Sequence, residues 1–173
     1  MKQLQIGIYS FFCLCGLMTP GELKAEPESG EVTVAVGDVE SVPRGGGNAS
    51  PLEAGDKVAV GSTVKTGANS RAVIVITPRS AIRVSADSEV VIEAVDEEAT
   101  PKQITIDLKS GGLGALLKPN AVGELDFKVR TPSGVAAARG TFFGVVVEDG
   151  KGYAQVKEGR IEIVPENQDG ANQ

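Results

Sequence analysis

Catalysis by side chains needs groups that move protons, attack carbon or phosphorus, or hold an ion, and this 173-residue chain lacks the commonest of them. It contains no histidine. That removes the usual general base, the imidazole ligand of catalytic zinc, and every Ser-His or Cys-His nucleophile arrangement. Paired carboxylates and Ser-Lys arrangements stay open. Asp38 and Asp56 each follow a glycine, where a short carboxylate accepts hydrogen bonds from the N–H groups of a turn. That use accounts for both without acid or base work. Asp96-Glu97-Glu98 offers oxygen ligands but lacks the Asp-x-Asp-x-Asp-Gly spacing that wraps them around calcium, so it reads as a solvated loop. No cofactor and no metal are implied.

Two constellations remain. Arg71, Arg79 and Arg83 gather positive charge in an acidic chain. On a strand, Ile82 and Val84 face the core and Arg83 faces outward. An exposed charge is the plain reading; pairing with an acidic protein or a carboxylated glycan is the functional one. In Arg139-Gly140-Thr141-Phe142-Phe143, glycine permits positive φ where the chain reverses and the threonine hydroxyl can bond the turn backbone. Phe142 and Phe143 point to opposite faces of any strand they share, so one belongs to the core and the other is a candidate anchor for an interface.

The elements that carry these residues follow from periodicity. Ile104, Ile106 and Leu108 alternate with polar residues, as do Leu125, Phe127 and Val129, and Ile161 and Ile163 flank Glu162. Period two predicts half-buried strands. Residues 72–76 are apolar on both faces, which suits a strand covered on both sides. Glycine, proline and aspartate punctuate the chain roughly every 8 to 12 residues, at Gly37-Asp38, Gly55-Asp56, Gly111-Gly112, Thr131-Pro132, Gly140-Thr141 and Glu158-Gly159 among others. The expectation is an all-β single domain of short strands forming a sandwich, roll or short solenoid. Val135 to Ala138 is the best helical candidate and is too short to stand alone. The Gly-Asp steps at 37–38 and 55–56 form a faint echo, readable as an internal repeat or as reuse of one turn.

The N-terminus reads as a processed leader. Lys2 precedes an apolar run from Ile6 to Met18, about 13 residues where a permanent span needs about 20. Cleavage is expected after Ala25, with no stable membrane insertion afterwards. Cys13 and Cys15 sit within the leader, behind bulky residues that disfavour lipidation, so the mature chain has no thiol for a disulfide or metal site. Removing Lys2, Lys24 and Glu22 takes the 17 basic and 23 acidic residues to 15 and 22, a net charge of −7. That balance repels phosphate backbones and argues against a nucleic-acid partner. The expected divisions are signal peptide 1–25, flexible leader 26–30, β domain 31–164 and a frayed polar tail 165–173.

The order of these pieces resembles the FecR domain. Phe127 to Thr131 leads into Pro132 and Gly134, Arg139-Gly140-Thr141-Phe142 follows, and Val156 to Ile161 closes on Glu158-Gly159. Upstream, Gly55-Asp56, Gly61, Thr66-Gly67 and Ser70-Arg71 look like the family's opening half; Thr77-Pro78-Arg79-Ser80 stands where the family usually has an Asp-Gly-Ser turn. The resemblance implies a periplasmic or secreted β domain of the bacterial envelope. In the best known members such a domain follows an anti-sigma segment and a transmembrane helix, and takes a signal from an outer-membrane receptor in iron-siderophore uptake. Only Met1 to Gln5 precede the apolar run here, so the expected role is a stand-alone, exported, non-catalytic interaction module with an envelope protein as partner. Its binding surface would be strand edges and turns, or side chains from Arg139 to Phe143. The candidate residues are Thr131, Pro132, Gly134, Arg139, Gly140, Thr141, Phe142 and Phe143, with Arg71. The alternative is a module for cell-wall or exopolysaccharide glycan, for which Phe127, Phe142, Phe143 and Tyr153 are a thin supply of stacking rings.

Expression in a bacterial host should yield a protein whose N-terminal residue is Glu26, checked by intact mass; an uncut chain, or cleavage elsewhere, contradicts the leader assignment.

Overall fold

In a computed structural model, residues 29–118 and 125–165 are described; the expected signal peptide, residues 26–28 of the leader and residues 166–173 of the tail lie outside them. The alternation read from the sequence becomes strands throughout. They are β1 (Ser29–Val36), β2 (Val39–Val42), β3 (Ser50–Pro51), β4 (Lys57–Ala59), β5 (Thr63–Thr66) and β6 (Arg71–Thr77), followed by β7 (Ser80–Val84), β8 (Ser88–Asp96), β9 (Lys102–Leu117), β10 (Leu125–Thr131), β11 (Gly134–Glu148) and β12 (Lys151–Pro165). Ser29 and Gly30, assigned to the leader, pair with Ala59 and Val58, and Pro165 pairs with Gly134.

All twelve strands belong to one sheet curled into a half-barrel, which among the expected architectures is the roll. Every pairing is antiparallel except that of β10 with β9. The sheet forks along β9. Its first half, 102–110, lies between β8 and β10, and its second half, 111–117, lies between β7 and β11. β11 makes the opposite passage: 134–138 pair with β10, and 142–147 pair with the second half of β9. Two arms result. The first runs β3-β2-β5-β8-β9-β10-β11, the second β4-β1-β6-β7-β9-β11, and β12 lies along β11 in both. Their inner faces share one apolar core. Phe127 of the first arm meets Phe143 of the second edge to face, centroids 5.9 Å apart at 77°, a favoured aromatic geometry.

Three glycine-marked sites expected to be chain reversals, Gly111-Gly112, Gly140-Thr141 and Glu158-Gly159, lie inside strands. Each sits where a long strand passes from one arm to the other. The backbone bends there without turning back, and the β11–β12 register shifts between Arg139 and Phe142, the behaviour of a bulge. The helical candidate 135–138 is strand as well: paired with β10, it places Ala136 and Ala138 in the core, so tertiary burial overrides alanine's helical propensity. On β6, Ala72, Ile74 and Ile76 are buried while Val73 and Val75 are only half-buried, so its second face is less covered than expected. On β7, Ile82 and Val84 are buried and Arg83 exposed, as the alternation required.

Where β1 gives way to β2, β5 to β6, and β7 to β8, the chain crosses between arms, and β9 crosses at 110–112. β2, β5, β8 and β9 are neighbours in the first arm, and β1, β6, β7 and β9 in the second, so the four crossings stack. Short hydroxyls tie them together. Asp38 N donates to Ser70 Oγ (2.9 Å), and Gly67 N to Asp38 O (2.9 Å). Asp87 N donates to Gly67 O (3.2 Å), and Ser88 N to Thr66 Oγ1 (3.1 Å). Ser85 N donates to Gly112 O (2.9 Å), and Gly112 N to Ser88 Oγ (2.9 Å). Thr66, Ser70 and Ser88 are buried. Buried N–H and C=O groups at a corner, out of reach of a ladder, need such partners. Gly111, at φ 80°, has no room for a side chain: a Cβ there would stand 2.6 Å from the Asp87 carbonyl oxygen.

Replacing Ser88 by alanine orphans the Gly112 N–H, so urea denaturation should show a loss of about 1–3 kcal/mol with the m-value unchanged. Removing Glu89, whose ion pair with Lys65 is exposed, should cost less than about 1 kcal/mol. Equal effects would contradict the seam.

Candidate functional site

The two arms differ on their outer faces. The described ion pairs, Lys65–Glu89 at 3.1 Å, Lys128–Asp126 at 2.7 Å, Arg130–Glu93 at 2.8 Å, Lys102–Glu97 at 3.2 Å and Lys109–Asp107, all fall on the first arm or its β8–β9 loop. Partly exposed pairs of this kind add little stability. They do keep that face hydrated and locally neutral.

On the second arm the outward positions are the ones between core residues. Ala115 and Leu117 point inward, so Gly114 and Leu116 point out; Phe143, Val145 and Val147 point inward, so Phe142, Gly144 and Val146 point out. Register then aligns them in rows across the strands. One row is Val75, Ala81, Leu116 and Phe142, continued in register by Glu31 on β1 at one end and Glu158 on β12 at the other; the next is Val73, Arg83, Gly114, Gly144 and Gln155; a third places Gly112, Val146 and Tyr153 side by side. The stretches 71–77, 80–84, 111–117 and 142–147 contain no aspartate or glutamate. Leu116 is 55 % exposed and Tyr153 56 % exposed, large values for apolar bodies on a sheet face.

A shallow groove of about 670 Å³ crosses this face, lined by Arg83, Gly114, Phe142, Gly144, Gln155 and Lys157 among others. Its floor is glycine. A Cβ at Gly114 would meet nothing within 4 Å, and one at Gly144 only the Leu113 carbonyl at 3.7 Å, so the hollow is the space that ordinary side chains would occupy. Lys157 Nζ lies 5.6 Å from the Phe142 ring centroid, within the range of a cation–π contact. Arg83 has no carboxylate in ion-pair distance among the described residues. The face combines an apolar floor and rim with fixed positive charge, which suits a surface carrying apolar groups and carboxylates.

The residues singled out from the sequence divide among three places. Phe142 lies on this face and is 39 % exposed, while Phe143 is buried, matching the expectation that one ring serves the core and the other the surface. Arg71 is exposed on the same arm, opposite Val36. Thr131, Pro132 and Gly134 form the β10–β11 hairpin instead. There Thr131 Oγ1 donates to Gly134 O (2.9 Å) and accepts from Ser133 N (3.4 Å), and Gly152 N donates to Ser133 Oγ (2.7 Å). Thr131 is buried. Its hydroxyl is occupied in closing the turn, and the neighbouring Ser133 hydroxyl ties that turn to the start of β12. Arg139, Gly140 and Thr141 occupy the passage of β11 from one arm to the other. Sequence reading missed Leu116, Val146, Lys157 and the glycine floor, although the absence of acidic residues from four separated stretches was visible. What was not visible was that those stretches are neighbours.

Among the described residues no three Asp, Glu, His or Cys side chains converge in a way that could hold a metal ion. A family model described as FecR protein matches residues 62–162, from the start of β5 into β12 and more than half of the chain. No curated protein and no solved structure matches the chain.

The two adjacent rings should behave differently. Phe143→Ala should cost about 3–5 kcal/mol through the lost core contact with Phe127, whereas Phe142→Ala should stay within about 1 kcal/mol. Denaturation of the two variants side by side measures this, and a destabilised Phe142→Ala protein would mean that ring is structural.

Proposed function

The chain belongs to the FecR protein family, and from that premise we propose that it is an exported, non-catalytic interaction module of the bacterial envelope that binds a protein partner through the outer face of its second arm. The observation that carries this reading is the contrast between the arms. One outer face is neutralised by its own ion pairs, and the other keeps Arg83 and Lys157 beside exposed Leu116, Phe142 and Val146, with no acidic residue in the four stretches that form its middle. In a chain with more acidic than basic residues, a face of that composition does not arise from average surface chemistry. Apolar floor supplies desolvation and the cations supply orientation, the division of labour common at protein interfaces. Engagement of this face by a receptor or regulator would fit the family's signalling-related role.

A second reading keeps the alternative of a glycan ligand. The glycine-floored hollow beside Phe142 is flat enough for a sugar ring, with Arg83 placed for a carboxylate substituent. Pelleting with purified peptidoglycan or acidic exopolysaccharide separates the two readings, because a protein-binding module stays in the supernatant.

Photo-crosslinking residues placed at Leu116 and at Lys65 test the protein-binding reading in envelope fractions. A discrete crosslinked partner should appear from position 116 and not from 65. Arg83→Glu with Lys157→Glu should lower that yield roughly tenfold while leaving the denaturation midpoint in place. Equal labelling from both positions would overturn the assignment of the face.

A further inference from the structure

The free edges of the sheet are unequal. At one margin of the first arm stands β3, two residues ending in Pro51, and at one margin of the second stands β4, three residues long. Short strands and proline are the means by which an edge is closed to further pairing. The opposite margin is β12, fifteen residues long, which pairs with β11 alone. Its core-facing side is also incomplete. Ile161 and Ile163 stand opposite Ala138 and Ala136, both buried, yet Ile163 is 61 % exposed, and neighbouring Val164 is 52 % exposed.

We propose that β12 pairs with β12 of a second copy of this chain, antiparallel about a two-fold axis through Ile161. The order of charges selects that occupant and that register. Arg160 and Glu162 flank Ile161, and both are exposed. A two-fold antiparallel pairing centred on Ile161 puts Arg160 of each copy opposite Glu162 of the other, twice over. It sets Ile161 against its own copy and Ile163 against Gly159. Directly opposed residues on one face of an antiparallel pair have Cβ atoms about 4.5–5.5 Å apart, so opposite charges there attract and like charges repel. Moving the axis one residue either way sets Arg160 or Glu162 against itself, and moving it by half a residue, between two positions, opposes side chains that belong to different faces. The pairing spans 157–165 in each copy, joins the two first arms into one continuous sheet, and extends the isoleucine row of each core across the axis. Isologous contact closes at two copies and covers the C-terminal part of the long edge. This inference is independent of the second arm's outer face.

Sedimentation velocity on the chain as isolated from its producing cells should show a dimer. Arg160→Glu sets carboxylate against carboxylate at both cross-strand pairs, and Glu162→Arg sets guanidinium against guanidinium at both, so each variant alone should be monomeric, with a dissociation constant raised roughly tenfold or more. Mixing the two variants should restore a dimer, because each then meets its complement, and the chain carrying both substitutions should dimerise by itself. Recovery on mixing also proves that both variants are folded. A monomeric starting chain, a dimer indifferent to the single substitutions, or a mixture that stays monomeric overturns the proposal.

Discussion

The fold depends on how it satisfies backbone groups at the corner where the chain changes arms. A sheet that curls must leave N–H and C=O groups out of register at its bend, away from both ladder partners and water. Here four crossings are stacked and bridged by Thr66, Ser70 and Ser88, each of whose hydroxyls accepts an N–H from the neighbouring crossing. The same residues explain the small side chains and glycines around them, since a larger group at Gly111 would collide with the Asp87 carbonyl. The apolar core then fills the space that this corner defines, with Phe127 and Phe143 spanning it. Hydrophobic burial drives collapse in any all-β chain; the hydroxyl seam is what makes this collapse bend at one line.

From that bend follows the difference between the faces. Curling gives the sheet two outward surfaces instead of one, and the composition of each can differ without disturbing the core. The first arm uses its charged residues in mutual pairing. The second leaves its central positions small or apolar and keeps Arg83 and Lys157 beside them. Neither choice stabilises the fold appreciably, because exposed ion pairs contribute little and exposed leucine or phenylalanine contributes less. A face that does not serve stability is where selection for contact can act.

Much of this was legible in the sequence and some was not. Alternation at Ile104, Ile106 and Leu108, or at Phe127 and Val129, marked strands with one buried face, and those side chains are in the core. The two phenylalanines separated as their parity demanded. Glycine was the ambiguous letter. At Gly37 it does lie in a tight link between strands, but Gly111, Gly140 and Gly159 lie inside long strands, with positive φ at Gly111, and local composition does not distinguish a reversal from a strand that runs on. Alanines 136 to 138 misled in the same way, because their strand state comes from partners on β10 and β12. The groove was beyond reach for a topological reason. Arg83, Gly114 and Gly144 are adjacent only because β9 sits between β7 and β11, and nothing local in the chain announces that order. The motif residues Thr131 and Gly134, prominent in sequence, are a turn whose hydroxyl is already engaged.

β9 belongs to both arms, bordered by β8 and β10 along one half and by β7 and β11 along the other. Neither arm can therefore melt by itself without stripping half the partners from the strand that the other arm needs. Cooperativity is built into the connectivity: both sides of the roll hang on the same sixteen residues of continuous backbone, so the loss of one side removes ladder partners from the strand that organises the other.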